Sequence, residues 1–232
     1  VYLHGCADAY DHWYLSDRKN FHSSPAMSKV AEEAFEMANC TLDDMAALDL
    51  YSCFPSAVQI ACDEMGIPLD DPRGLTVTGG LPYFGGPGNN YVTHSIAEMM
   101  NKVRANPGSK GLVTANGNYV TKQSAGIYCT EPTEEPFSPK DPKIYQAEID
   151  ADKGPSVTEL ANGDATIETY TIMHDRKGPS FGILFGRLLD GSRFIANTPD
   201  DLDLMLEMTS TDYLGAEGKV KEENGVNIFT PS

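Results

Sequence analysis

Basic residues are scarce in this sequence: 17 Lys and Arg stand against 34 Asp and Glu, a formal charge of −17, with a pI near 4.5. So acidic a surface excludes nucleic acid or an anionic membrane as a partner of the chain as a whole. Apolar runs approaching the roughly 20 residues of a membrane span are missing, and neither a membrane span nor a signal peptide is expected. The cysteines, Cys6, Cys40, Cys53, Cys62 and Cys129, are odd in number and form no C-x-x-C pair. A zinc knuckle and a disulfide framework are therefore not expected, and the thiols point to a reducing, cytoplasmic compartment. Trp13 is the only tryptophan, and no internal repeat or heptad pattern is present.

What the chain does have is a 41% hydrophobic fraction over 232 residues, enough for one large core or two small ones. It begins at Val1, in what reads as a strand, which suggests a fragment or a processed chain. Residues 1–5 read as a strand and residues 7–25 as an aromatic, polar loop. Strands alternating with helices follow: a helix over 27–39, a strand over 45–51, a helix over 56–65, a strand over 74–78, a helix over 91–103 and two strands over 110–114 and 121–129. That βαβαβαββ order predicts an α/β layer with helices on both faces of a sheet.

Residues 130–142, TEPTEEPFSPKDP, change composition sharply and read as a linker. Beyond them the pattern is mostly strands: 143–150, 165–174, 180–189, 191–196 and 226–229, with one helix over 200–208. Asp190-Gly191 is a hairpin signal. The expected division is 1–129 as an α/β domain, 130–142 as linker, and 143–232 as a small β-rich, OB-like barrel.

The most distinctive stretch is Thr76 to His94, TVTGGLPYFGGPGNNYVTH. Its glycines permit positive φ or close approach of backbone to a neighbour, and the loop leads into the N-terminus of a helix, where unpaired N–H groups favour an anion or a polarised carbonyl. Gly85, Gly86, Asn89 and Asn90 are the expected ligand-facing residues here, with His94 on the first helical turn. A tight crossover without a ligand is an equally good reading of the glycines alone. A side chain at Gly85 or Gly86 is expected to enter ligand space or to be barred by positive φ. Tyr51 and Ser52 at one strand-to-helix corner, and Asn116-Gly117 at another turn, are the remaining candidates. Packing and turn formation are the plainer roles for both. Lys122 is a further cation near that turn. Cys53 and Cys129 have no His-Asp partner at a readable position.

TGGLPYFGGPGNN resembles the C-terminal half of the thiolase superfamily, in particular its sterol-carrier-protein and acetyl-CoA acetyltransferase branch, where the segment runs roughly N-P-x-G-G-x-x-x-x-G-H-P. Gly79-Gly80 and Gly85-x-Pro87 match, but the family's catalytic His falls on Gly86. Tyr51-Ser52-Cys53-Phe54 stands where the family has N-E-A-F or H-D-C-F, and Ala115-Asn116-Gly117 where it has Cys-x-Gly. The resemblance covers about residues 1–129, and the tail resembles the additional C-terminal domain of thiolase-like proteins of type 1. It implies a protein that acts on or binds acyl-CoA thioesters, with coenzyme A as a moiety of the substrate and no cofactor. It further implies an N-terminal half that supplies the nucleophilic Cys, and a homo-oligomer. Since Gly86 and Ala115 carry no proton-handling group, no catalytic residue is assigned. A non-catalytic acyl-CoA-binding or scaffold protein is the alternative.

Overall fold

The computed structural model describes all 232 residues, which fall into two compact units. The first comprises Val1–Trp13 and Asn20–Asp152, the second Tyr14–Lys19 and Lys153–Ser232.

The first unit is built on a four-stranded sheet ordered β1-β4-β3-β2, from Tyr2–Tyr10 (β1), Met45–Asp49 (β2), Lys110–Gly117 (β3) and Lys122–Cys129 (β4). Only β2 and β3 run parallel. The helices are Pro25–Met37 (α1), Pro55–Met65 (α2), the short Leu81–Phe84 (α3), Tyr91–Ala105 (α4) and Pro142–Ala151 (α5). One face of the sheet buries Leu48, Leu112 and Ile127 against Val30 and Ala34 of α1 and Tyr145 and Ile149 of α5. On the other face, Met99 and Val103 of α4 pack with Val113. The helices thus lie on both faces, as an α/β layer requires.

Helix α1 opens with Ser24 at its N-cap, whose hydroxyl accepts from Met27 N, and with Pro25 at the first helical position. It crosses β1 very closely: a Cβ on Gly5 would lie 2.0 Å from the Ala34 carbonyl oxygen.

Several expectations need correction. Strand β1 continues to Tyr10, so the loop expected from residue 7 begins later. Residues 74–78 form no strand. They run beside β2, with Leu50 N bonded to Leu75 O, but the N–H groups of Val77 and Thr78 go to the Asp49 carboxylate rather than to a ladder. Residues 143–150, expected as a strand, are helix α5, because Asp141 caps Lys143 N, Pro142 sits at the first position and Tyr145 and Ile149 share one face. That helix closes the edge of β1: Gln146 accepts from Tyr10 N and donates to Tyr10 O. Residues 130–141 are irregular, as a linker would be, yet they belong to the first unit. His4 Nε2 meets the Glu131 carbonyl at 2.7 Å, and Lys140 pairs with Glu33 and Glu36 at 2.8 and 2.6 Å. The first compact unit runs on to Asp152.

The second unit is a closed barrel ordered β5-β6-β7-β9-β8, from Gly163–Asp175 (β5), Gly178–Leu188 (β6), Arg193–Asn197 (β7), Glu217–Glu223 (β8) and Val226–Pro231 (β9). Pairing of β5 with β8 closes it, and β7 meets β9 in parallel. Helix α6, Leu202–Ser210, stands between β7 and β8 in sequence and buries Met205 and Met208. Ile167, Leu184, Phe194, Val220 and Phe229 fill the interior. The Asp190-Gly191 hairpin is present, with Gly191 at φ 83°. Strand β8 was not expected, because its sequence, EGKVKEE, buries only Gly218 and Val220.

Candidate functional site

The entry to the glycine loop is tied to the end of β2. Asp49 is fully buried. Its Oδ2 accepts from Val77 N at 2.9 Å, Thr78 N at 3.2 Å and Thr78 Oγ1 at 3.1 Å. The Thr78 hydroxyl also meets Tyr91 OH at 2.7 Å and accepts from Gly80 N at 3.2 Å. One carboxylate thus fixes the entry to the glycine loop and, through Thr78, the first residue of α4. Charge-assisted bonds of this kind are stronger than neutral ones.

The corner after β2 is tied to the same loop. Ser52 Oγ accepts from Leu81 N at 2.9 Å, and Tyr51 N donates to Thr114 Oγ1 on β3 at 2.9 Å. The Tyr51 ring stands edge-on to Tyr91, with centroids 5.4 Å apart. Asn116 Nδ2 lies 3.6 Å from Cys53 Sγ, while Asn116 Oδ1 is buried without a partner. Tyr51 and Ser52 are thus tied to β3 and the glycine loop, and Asn116 approaches the neighbouring Cys53. Asn116 lies in β3 opposite Gln123, not in the turn, which is formed by residues 118–121. Gly117 ends β3 opposite Lys122.

In the loop itself, Gly79, Gly80, Gly85 and Gly88 have positive φ, with Gly80 and Gly85 both at 95°. Those two glycines bracket α3, where a side chain is strained by backbone conformation alone. Gly86 differs from expectation. Its φ is not positive, and a Cβ there would meet Leu81 Cδ2 at 2.7 Å, so the space beside it already holds a side chain. Residues 82–90, including Gly85, Gly86, Asn89 and Asn90, are all exposed. Asn90 precedes α4 without a side-chain cap bond. The His94 ring lies tilted at 50° against Phe84, with centroids 5.2 Å apart, and its Nδ1 is buried without a partner.

Proton-handling capacity here is small. Burial pushes the Cys53 thiol up, so it is protonated at neutral pH and a poor nucleophile. Burial, with Cys53 and Tyr91 adding, also raises the Tyr51 phenol. Ala115 pairs with Ser124 in the sheet and carries no ionisable group. No group of three or more His, Cys, Asp or Glu is placed to hold a metal ion. Two cavities lie elsewhere in this unit: one of about 380 Å³ lined by His4, Lys110, Glu131 and Phe137, and one of about 130 Å³ lined by Cys6, Glu33, Lys140 and Tyr145.

Sequence reasoning missed Asp49, Thr78 and Tyr91. The available signal was one acid inside the apolar run Met45–Leu50, a position where a carboxyl needs hydrogen-bond donors; here Oδ2 has three, while Oδ1 is buried without a partner.

The family model for the additional C-terminal domain of thiolase-like protein type 1 matches residues 145–225. No curated protein matches the sequence. The crystal structure of a monomeric SCP2-thiolase-like protein type 1 from Mycobacterium smegmatis superposes with a TM-score of 0.92 at 45% identity. That match covers 100% of this chain and 50% of that one, so the present sequence spans half the length of its relative. The 3-oxoacyl-(acyl carrier protein) synthase III of Pseudomonas aeruginosa aligns over 56% of this chain and 45% of its own, at 12% identity and a TM-score of 0.39. The whole-chain match at 45% identity and the separate match of the tail agree, and the chain belongs to the thiolase-like proteins of type 1.

Proposed function

We propose that the full-length protein binds an acyl-CoA-type thioester at the glycine loop without performing thiolytic or Claisen chemistry. The observation that carries this reading is a retained scaffold with its proton-handling positions emptied. The loop is held by Asp49, Ser52 and Thr78, while Gly86 and Ala115 stand where the thiolase pattern has His and Cys. Each loss costs on the order of 10²-fold or more for a reaction that needs an oxyanion donor and an exchanged α-proton. Neither Cys53, raised by burial, nor Ala115 replaces them.

The remaining half of the protein, as a thiolase pattern implies, would complete the ligand cleft, and coenzyme A is a moiety of the ligand, not a resident cofactor. An acyltransferase whose other half brings the nucleophilic Cys is the second reading, favoured only by a reaction with no α-proton step. The barrel's order, with a parallel β7–β9 contact and a helix between its third and fourth strands, supports an OB-like description. The monomeric state of the Mycobacterium smegmatis relative supports a monomer rather than the homo-oligomer expected from the wider family. Five free thiols support a cytoplasmic location.

Calorimetric titration of the full-length protein with acetoacetyl-CoA, alongside a thiolysis assay with free CoA, tests the reading. Saturable binding with no cleavage above background supports it. Absence of binding, or thiolytic turnover, overturns it.

A further inference from the structure

The barrel contains a segment from far away in sequence, Tyr14–Lys19, which lies outside the span that the family model delimits. Its anchor is Arg193, whose side chain is wholly buried. The guanidinium donates to Ser16 O at 2.7 Å, to Arg18 O, and to Lys19 O at 3.4 Å. On its other edge it donates to Glu168, Nε to Oε2 at 2.7 Å and Nη2 to Oε1 at 2.6 Å. Glu168 is the extra residue of a bulge in β5, between Ile167 and Thr169. Bulges re-aim a side chain, and this one sets Glu168 against both Arg187 and Arg193, which oppose each other directly across β6 and β7. Two arginines at facing positions repel, and the shared carboxylate offsets that.

An independent contact closes the segment from the other side. Gly154 N donates to Asp17 O at 3.0 Å. A Cβ on Gly154 would fall 2.4 Å from Asp17 O and 2.6 Å from Arg18 O, so only glycine lets the two backbones approach this closely. The segment's own side chains contribute less: Tyr14 is 72% and Leu15 41% exposed.

We propose that Tyr14–Lys19 is a strap of the barrel, held by its backbone between Gly154 and the buried Arg193 fork, and indifferent to the side chains at positions 14 and 15. Bidentate guanidinium geometry suits this task, whereas a lysine ammonium cannot reproduce the fork.

Limited trypsin digestion of the full chain, read by mass spectrometry, tests the proposal, because Arg18 and Lys19 are themselves cleavage sites inside the strap. Wild type is expected to resist cleavage there while exposed sites such as Lys177 are cut. Gly154→Ala, which leaves Arg193 in place, and Arg193→Met are each expected to speed cleavage after Arg18 or Lys19 by about tenfold or more, since cleavage follows the population of the open form. The double variant Tyr14→Ala with Leu15→Ala is expected to match wild type. If Arg193→Met also opens Lys219 and Lys221 in β8, the barrel has unfolded and Gly154→Ala decides alone. Wild-type protection of the strap in Gly154→Ala overturns the proposal, as does equal cutting of Arg18 and Lys177 in the unaltered protein.

Discussion

The Oδ2 atom of Asp49 takes both the backbone N–H and the hydroxyl of Thr78, at 3.2 and 3.1 Å. This pair couples the end of a core strand to the glycine loop. The same hydroxyl reaches Tyr91 at the start of α4, so three elements depend on one buried carboxylate. The loop's exposed residues, 82–90, therefore project from a fixed base.

Asp49→Ala removes the acceptor from three donors at once. An unpaired buried donor is costly, and the expected loss is about 2–4 kcal/mol. Asp49→Asn retains one oxygen for the same donors and is expected to lose less. Urea unfolding of the two variants against wild type checks both the size and the order.

Gly5→Ala is expected to destabilise the first unit by about 1–3 kcal/mol. The new methyl would sit 2.0 Å from a backbone oxygen, Ala34 O, on a helix pinned by the core, so neither partner yields by a rotamer change. A thermal melt measures it. An unchanged melting temperature would show that α1 lifts off β1 at little cost.

Acid should weaken the barrel through Glu168. Burial alone would raise this carboxyl, but hydrogen bonds and charge from Arg193 and Arg187 outweigh it and hold the group below its ordinary value. A depressed folded-state value means that the stabilisation is complete above the unfolded-state carboxylate range, about 4.3, and is lost as pH falls through the folded value. Unfolding of the second unit, followed from neutral to about pH 3, should show this acid sensitivity in wild type and a smaller one in Glu168→Gln. Asp71 acts with the same sign in the first unit, at lower pH, since its hydrogen bonds from Arg73 hold it down to about 2.

Much of this architecture was legible in the sequence where the apolar period is long. Helices α1, α2 and α4 and strands β3 to β6 stand close to where periodicity puts them. The failures have physical causes. Residues 143–150 alternate polar and apolar well enough to pass for a strand, and only Asp141-Pro142, a cap followed by a first-turn proline, marks the helix. Residues 74–78 have strand composition, but a side chain takes their N–H groups. Of the site, the glycine loop and the Tyr51–Ser52 corner were legible because glycine and turn residues punctuate a sequence locally. The Asp49 clasp and the Arg193 strap were not, since each joins residues far apart in the chain, 28 or 29 positions for Asp49 with Val77 and Thr78 and 174 to 177 for Arg193 with Ser16, Arg18 and Lys19.

The central claim, thioester binding with the α-proton step removed, is tested most directly by proton NMR of acetyl-CoA with the full-length protein in deuterated buffer. Saturation transfer from protein to ligand reports binding, and the acetyl methyl intensity reports α-proton exchange in the same sample. Transfer to the ligand is expected, with a methyl signal that persists as long as it does in buffer, because Ala115 offers no base and the half-buried Cys53 thiol stays protonated. Loss of the methyl signal faster than in buffer, or no transfer at all, would contradict it.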